Sequence, residues 1–112
     1  MDKSTKYKKI VKGILSKYVE IFNEPSSETE EILVADDIKG HYLWLGLGWK
    51  NGKRQNHQIV NIRIRNSKIW IETDLTEQGI ATDLLNEGVP KEDIVLAFHE
   101  PSVRQYTEFA IA

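Results

Sequence analysis

Two short turn signals divide the centre of this chain, and they constrain its fold more than any other feature. They are Asn51-Gly52 and Asn66-Ser67, and each lies between segments rich in apolar residues. Asn-Gly is the strongest short hairpin signal, because a type I′ turn needs a positive φ at both central residues. The sequence therefore predicts three consecutive antiparallel strands at about 41–50, 53–65 and 68–73.

The same turns predict which residues face one another across the strands. With two-residue turns, Leu43 faces Val60 in the first hairpin and Ile62 faces Ile71 in the second. Because side chains alternate across a strand, one face becomes a predicted core face. It holds Leu43, Leu45, Leu47, Trp49, Val60, Ile62, Ile64, Ile69 and Ile71. A β-bulge in the glycine-containing segment 46–48 would shift part of this pairing.

The opposite face combines aromatic rings with basic side chains, which is unusual for a face in water. Its candidate interaction residues are Tyr42, Trp44, Arg63, Arg65 and Trp70. Such a face suits a protein interface, where Trp, Tyr and Arg supply anchors, and it also suits stacking on single-stranded bases. Two structural interpretations of this face are also possible. Arg63 over Trp70 is a plain cross-strand contact in one, and residues 94–112 cover the face in the other.

The N-terminal part predicts a helix and a first strand. Apolar residues recur every three or four positions over 3–22, which predicts an amphipathic helix with Asp2 or Ser4 at its start. A strand over 30–36 follows a loop and would place Val34 opposite Leu43. The expected fold is α+β, with the N-terminal helix packed on a four-stranded antiparallel meander.

The C-terminal part predicts a second helix and short elements. The helix is expected over 77–87, with Asp74 or Thr76 accepting its free N–H groups and Gly88 ending it. The short elements are an extended segment at 94–96, a helix from Ser102 to about Tyr106, and an apolar tail at 109–112. The tail is too apolar for a free end, so it is expected to pack on the sheet or on another subunit.

Composition narrows the class of protein. The 112 residues fit one domain, residues 1–112, and the chain has no cysteine and no long apolar run, so a cytoplasmic protein is expected. The net charge of −2 hides segregation: residues 20–37 hold seven acids and no base, and residues 38–71 hold seven bases and no acid. A balanced surface after folding is the simpler interpretation, and a phosphate-binding central surface is the alternative.

No residue pattern in the sequence indicates a particular enzymatic reaction. His41, His57 and His99 lie on separate elements without metal-ligand spacing, so no metal or cofactor is expected. Asp74 and Glu77 resemble a catalytic carboxylate pair, but helix capping explains them without chemistry. The sequence therefore predicts a protein that is not an enzyme.

Nearly the whole chain resembles one family. The residues that carry the resemblance are HYLWLGLGW at 41–49, KIWIETDLTEQGIATDLLNEGVPKEDIVLAFHEP at 68–101 and RQYTEFAIA at 104–112. These segments are similar to the XisI-like proteins, the controlling factors for excision of the fdxN element in cyanobacteria. The family commonly has Gly where Ala97 stands here.

The resemblance implies an accessory role in DNA rearrangement. In that system a separate recombinase cuts the strands and another small factor takes part, and no catalytic residues carry over to this chain. The expected function is control of a recombinase or nuclease-like partner through protein contacts, with a homo-oligomer as a further possibility. The alternative is a nucleic-acid-binding accessory protein that uses the basic aromatic face.

Overall fold

A long helix and a five-stranded sheet form the framework of residues 2–112, which a computed structural model describes. The elements are α1 (Lys3–Phe22), β1 (Thr29–Asp36), β2 (His41–Lys50), β3 (Lys53–Arg65), β4 (Lys68–Asp74), α2 (Ile80–Asn86) and β5 (Ile94–Leu96). Two 3-10 helices, Lys91–Asp93 and Pro101–Tyr106, flank β5. The α+β class and the N-terminal helix are as predicted.

The sheet has the strand order β1-β2-β3-β4-β5. Strands β1 to β4 form the predicted antiparallel meander, and β5 adds to β4 in parallel. The extended conformation of 94–96 was predicted, but its pairing was not. A parallel partner needs a crossover connection, and α2 with the first 3-10 helix provides it.

Helix α1 packs along one side of the sheet, as its periodicity predicts. Asp2 caps it, because its Oδ1 accepts a hydrogen bond of 2.8 Å from the backbone N–H of Thr5. Tyr7, Val11 and Leu15 are spaced by four residues and are buried against the sheet. No helix in the described part of the chain combines the length and apolar composition needed to cross a membrane.

The hairpin tips are confirmed, and so is the β3–β4 register from Ile62 to the turn; the ladder shifts by one residue between Asn61 and Ile62. Asn51 and Gly52 both have positive φ, 52° and 76°, as a type I′ turn requires. Beyond the second turn, Ile62 pairs with Ile71 as predicted. In the first meander connection, Val34 pairs with Leu43, which is also the predicted partner.

The predicted β2–β3 register is wrong beyond one point. Leu45 pairs with Gln58 and Trp44 pairs with Val60, so Ile59 is an extra residue in β3. This β-bulge shifts the ladder by one residue, and Leu43 faces Asn61 instead of Val60. The bulge is in β3, outside the 46–48 segment where the sequence allowed for one.

The bulge exchanges the two faces of β2. Tyr42 and Trp44, predicted on the solvent side, lie beneath α1 with 0% and 3% exposure. Leu43, Leu45 and Trp49, predicted in the core, lie on the other side. We call the side covered by α1 the inner face and the opposite side the outer face. The buried core on the inner side comprises Tyr7, Val11, Leu15, Tyr42, Trp44, Val60, Ile62, Ile64, Ile69, Ile71, Ile80, Leu84, Val89 and Ile94.

Helix α2 begins at Ile80, three residues later than predicted. Asp74 organises the intervening loop, because its Oδ1 accepts from the N–H of Thr76 at 2.9 Å and its Oδ2 accepts from the N–H of Ile80 at 2.7 Å. Asp74 therefore satisfies the first turn of the helix from six residues away, and a loop replaces the expected first turn.

Side chains and tail residues meet the two edges of the sheet. At β1, the side-chain amide of Asn23 donates to the carbonyl of Glu31 at 3.3 Å and accepts from its N–H at 3.4 Å. At β5, the N–H of Ala110 donates to the carbonyl of Ile94 at 2.8 Å, so the apolar tail joins the sheet edge.

Candidate protein-interaction surfaces

The five predicted interaction residues do not form one surface. Tyr42 and Trp44 lie on the inner face beneath α1, whereas Arg63, Arg65 and Trp70 belong to the outer face. The β3 bulge causes this division. An interaction role stays a prediction for the three outer residues, and Tyr42 and Trp44 belong to the core.

Tyr42 connects the core to a charged pair at the surface. Its hydroxyl donates to Oδ1 of Asp37 at 2.7 Å, and Oδ2 of Asp37 lies 2.6 Å from the Lys12 ammonium. Burial and the nearby Asp37 carboxylate raise the pKa of Tyr42. Hydrogen bonds from Lys12 and Tyr42 hold the pKa of Asp37 below its usual value. These contacts fix β2 against the middle of α1.

Trp44 fixes the far end of the same helix. Its indole N–H donates to Oε2 of Glu31 at 3.0 Å. Its ring stacks on Tyr18 with 5.4 Å between centroids and lies 5.6 Å from the ring of Phe22. A structural role therefore accounts for every polar and aromatic contact of this side chain.

Trp70 is covered by the C-terminal segment, which was one of the predicted alternatives. The indole is 8% exposed and donates its N–H to the carbonyl of Arg65 at 3.0 Å. The guanidinium carbons of Arg65 and Arg104 lie 5.0 and 5.8 Å from its ring centroid. Arg63 pairs with Glu72 beside it at 3.2 Å. This end of the outer face is a packed structural unit.

The outer face of β1 and β2 is apolar and has no such cover. Its side chains form an aliphatic strip made of Ile32, Val34, Leu43, Leu45 and Leu47. They are half-buried by one another, and Val34 on the edge strand is 43% exposed. Within residues 2–112, the main packing contacts to β1 and β2 come from adjacent strands and from α1 on the inner side. An uncovered apolar sheet face is typical of an interaction site.

A hydrogen-bonded polar band borders the strip, formed by two residues of β3 and by His41 at the start of β2. His41 Nε2 lies 2.7 Å from Oδ1 of Asn61, and the Asn61 amide donates to Oε1 of Gln58 at 2.9 Å. These side chains satisfy one another across the outer face. They separate the apolar strip from the Trp70 unit.

A second candidate surface is a groove between α1 and α2. It is open, has a volume of about 730 Å³, and we call it the helix groove. Its lining comprises Lys6, Lys9, Ile10, Gly13, Ile14, Lys17, Tyr18, Ile21, Asp83, Asn86 and Glu87. A Cβ added to Gly13 would meet no heavy atom within 4 Å, so this glycine leaves room at the centre of the groove.

The rim of the helix groove carries both signs of charge. Lys6, Lys9 and Lys17 come from α1, and Asp83 and Glu87 come from the α2 side. The Tyr18 hydroxyl joins the two helices by donating to Oδ2 of Asp83 at 2.7 Å. Burial and this carboxylate raise the pKa of Tyr18 to about 12, so the hydroxyl stays protonated and keeps donating at neutral pH.

The three histidines lie apart in the fold. His41 contacts Asn61, His57 contacts Gln55, and His99 lies against Phe98. Among residues 2–112 there is no group of three or more His, Asp or Glu side chains placed to hold a metal ion.

Sequence reasoning missed both the aliphatic strip and the helix groove. The strip residues were assigned to the core, because both alternating sets of β2 side chains are apolar. The groove depends on how α2 returns to α1, and no local pattern encodes that contact.

Comparison with known proteins confirms the resemblance to the XisI-like proteins over nearly the whole chain. A family model described as XisI protein matches residues 1–111. The crystal structure of the fdxN element excision controlling factor XisI from Anabaena variabilis ATCC 29413 is 42% identical, with a TM-score of 0.85 over 99% of this chain and 100% of that one. A XisI-like protein from the same organism is 34% identical, with a TM-score of 0.90 over 97% of this chain and 99% of that one. None of the curated proteins matches the chain.

Proposed function

The chain belongs to the XisI family, and from this premise we propose that it is a non-catalytic accessory factor that controls excision of a DNA element by contacting a protein partner. The name of the Anabaena relative, an excision controlling factor, supports the biological setting. That relative is similar over the full length of both chains, so the proposal concerns the whole domain.

The helix groove is the observation that carries the protein-contact part of the proposal. Its apolar lining includes Ile10, Ile14 and Ile21, and its rim carries lysines on the α1 side and carboxylates on the α2 side. A polyanion would be attracted by one side of this rim and repelled by the other. A protein segment with an apolar face and charges of both signs satisfies the whole groove, as an amphipathic helix does when it binds between helices.

The charge of the surrounding surface agrees with a protein partner. The chain has a net charge of −2, and two α1 lysines are already paired: Lys3 with Asp93 at 2.9 Å and Lys12 with Asp37 at 2.6 Å. Nucleic-acid affinity depends on unpaired cations that neutralise phosphates. The lysine-rich helix α1 therefore has fewer unpaired cations available to bind phosphates than its sequence indicates.

A matched pair of substitutions at Gly13 tests the proposal. Gly13→Trp directs an indole into the helix groove from a position where an added Cβ meets no heavy atom within 4 Å. Gly13→Ala leaves the groove open and serves as the control. The assay measures excision of a reporter element in a host that supplies the recombinase and the other accessory factor but lacks this chain.

We expect the wild-type chain and Gly13→Ala to restore excision, and Gly13→Trp to fail while remaining folded by circular dichroism. Co-purification with the co-expressed excision proteins should follow the same order. Full excision without this chain would reject the accessory role. Full excision with Gly13→Trp would reject the groove as the contact.

The nucleic-acid alternative depends on the outer arginines. Arg63 and Arg65 lie on the outer face, but the aromatic rings expected beside them are buried or covered. Binding to single-stranded DNA can be measured at several salt concentrations. Tight binding that weakens steeply with salt and with Arg65→Ala would favour this alternative.

A further inference from the structure

We propose that the aliphatic strip on the outer face is an interface between two copies of this chain, packed sheet against sheet. The strip holds five aliphatic side chains on the two strands farthest from the Trp70 unit. Stacked sheets bury such faces about 10 Å apart with their strands nearly aligned. This interface is separate from the helix groove, so its test does not depend on the proposed function.

The charges at one end of the strip are arranged so that a second copy is complementary to the first. The strand register places Asp36, His41 and Arg63 in one row across β1, β2 and β3. An acid therefore lies at one side of the strip and a base at the other. The next two outward-facing pairs of β1 and β2, toward the hairpin tip, are Val34–Leu43 and Ile32–Leu45. Both pairs are aliphatic.

A two-fold axis that runs parallel to the strands, between β1 and β2, matches the aliphatic pairs and the charges of one copy to those of the other. It places β1 of each copy over β2 of the other, so Ile32 and Val34 meet the second copy's leucines. Neighbouring strands are about 4.8 Å apart, within the reach of an arginine side chain. Asp36 therefore comes over the second copy's His41 and beside its Arg63. The symmetry makes this contact twice.

The same row explains why a second copy fits better than an unrelated partner. Acid and base lie on opposite sides of one apolar strip, so two-fold symmetry brings Asp36 of each copy beside Arg63 of the other, where Asp36 becomes a second acid next to the Arg63–Glu72 pair. The strip spans only two strands, so its apolar area is smaller than the roughly 800 Å² that each partner buries in a standard interface. The charged ends must therefore contribute, and reversing one charge should weaken the dimer at least ~10-fold.

The apolar part of the interface is tested by matched exposed residues. Val34 is 43% exposed within the strip, and Ile38 is 92% exposed in the turn outside it. Both Val34→Asp and Ile38→Asp add one acid to the same region. Sedimentation equilibrium of the full chain should show a dimer for the wild type and for Ile38→Asp, and a monomer for Val34→Asp.

The geometry of the axis is tested by mixing two single variants. Asp36→Lys and Arg63→Glu each place like charges across both contacts of a homodimer, so each variant alone should be monomeric. Mixed together, they restore opposite charges at both contacts and should form a one-to-one dimer. Circular dichroism checks each fold, because Asp36 Oδ1 also accepts from the N–H groups of Ile38 and Lys39 at 3.0 Å and Arg63 also pairs with Glu72 at 3.2 Å.

A wild-type chain that stays monomeric at millimolar concentration would overturn the proposal. A dimer that survives Val34→Asp would also overturn it, since the interface would then lie elsewhere. Failure of the two folded variants to associate would reject the axis between β1 and β2. None of these results would affect the outcome of the Gly13 experiment.

Discussion

The guanidinium of Arg104 lies over the ring of Trp70, with its carbon 5.8 Å from the ring centroid. The same group donates to three carbonyls: Ala97 at 3.2 Å, His99 at 3.0 Å and Ile111 at 3.4 Å. One side chain therefore fastens the second 3-10 helix and the tail onto the outer face of the sheet.

Replacing Arg104 should release this C-terminal segment. Arg104→Ala removes three charged hydrogen bonds and a cation–π contact, so we expect a loss of about 2–4 kcal/mol in the free energy of unfolding. Arg104→Lys should recover little, because an ammonium cannot reproduce the planar fork of donors. Urea denaturation measures the loss, and amide hydrogen exchange at 97–111 locates it. Equal protection in all three proteins would contradict this role.

Trp44 should matter for folding and not for assembly. Trp44→Ala removes a ring that is 3% exposed and stacks on Tyr18, so we expect a loss of about 3–5 kcal/mol. Trp49, which is 60% exposed, is the control, and Trp49→Ala should cost less than about 1 kcal/mol. Thermal unfolding compares the two. A stable Trp44→Ala protein with altered assembly would restore this residue to an interaction surface.

Asp93 should contribute stability that depends on pH. Burial alone would raise its pKa, but hydrogen bonds from Tyr7 and Lys3 hold the pKa below the usual value of 3.8. The contribution is therefore fully present above pH 3.8 and is lost as the pH falls through the lower pKa of the folded state.

Asp93→Asn should consequently lose about 1–3 kcal/mol at neutral pH, and the difference from wild type should shrink below pH 3.8. Tyr7→Phe is the companion variant, since it removes the hydroxyl and keeps the ring. Urea titrations at several pH values measure both. A stability difference that stays constant down to strongly acidic pH would show that Asp93 acts through packing alone.

Gly48 should tolerate no side chain. It has a φ of +147°, and an added Cβ would lie 2.6 Å from the carbonyl oxygen of Glu28, so the backbone must move. We expect Gly48→Ala to lose about 1–3 kcal/mol. Gly13→Ala is the opposite case, a helix position with free space, and should gain about 1 kcal/mol. Equal melting temperatures for the two variants would contradict this contrast.

Local signals were sufficient for most elements of the fold. The four-residue spacing of Tyr7, Val11 and Leu15 is a property of the helix itself, and it predicted both α1 and its buried side. The Asn51-Gly52 turn fixes two φ angles by residue type, and it predicted the tip of the first hairpin. These features depend on neighbours in sequence, so the sequence reveals them directly.

The candidate surfaces depend on a choice that local signals do not make. Tyr42 and Trp44 alternate with Leu43 and Leu45, so either set satisfies a buried face. One extra residue, Ile59, decides between them, and its side chain packs against the core beside Val60. A bulge with two adjacent apolar residues looks in sequence like an ordinary continuation of the strand.

The amide of Asn23 has a consequence for behaviour in concentrated solution. Sheets with bare edges recruit further strands and can grow into fibrils, and proteins suppress this growth by blocking the edge. Asn23 occupies the backbone of Glu31 at one edge, and Ala110 occupies that of Ile94 at the other. Each edge therefore has a backbone position that an incoming strand cannot use, so edge-to-edge growth is hindered there while the apolar face stays open.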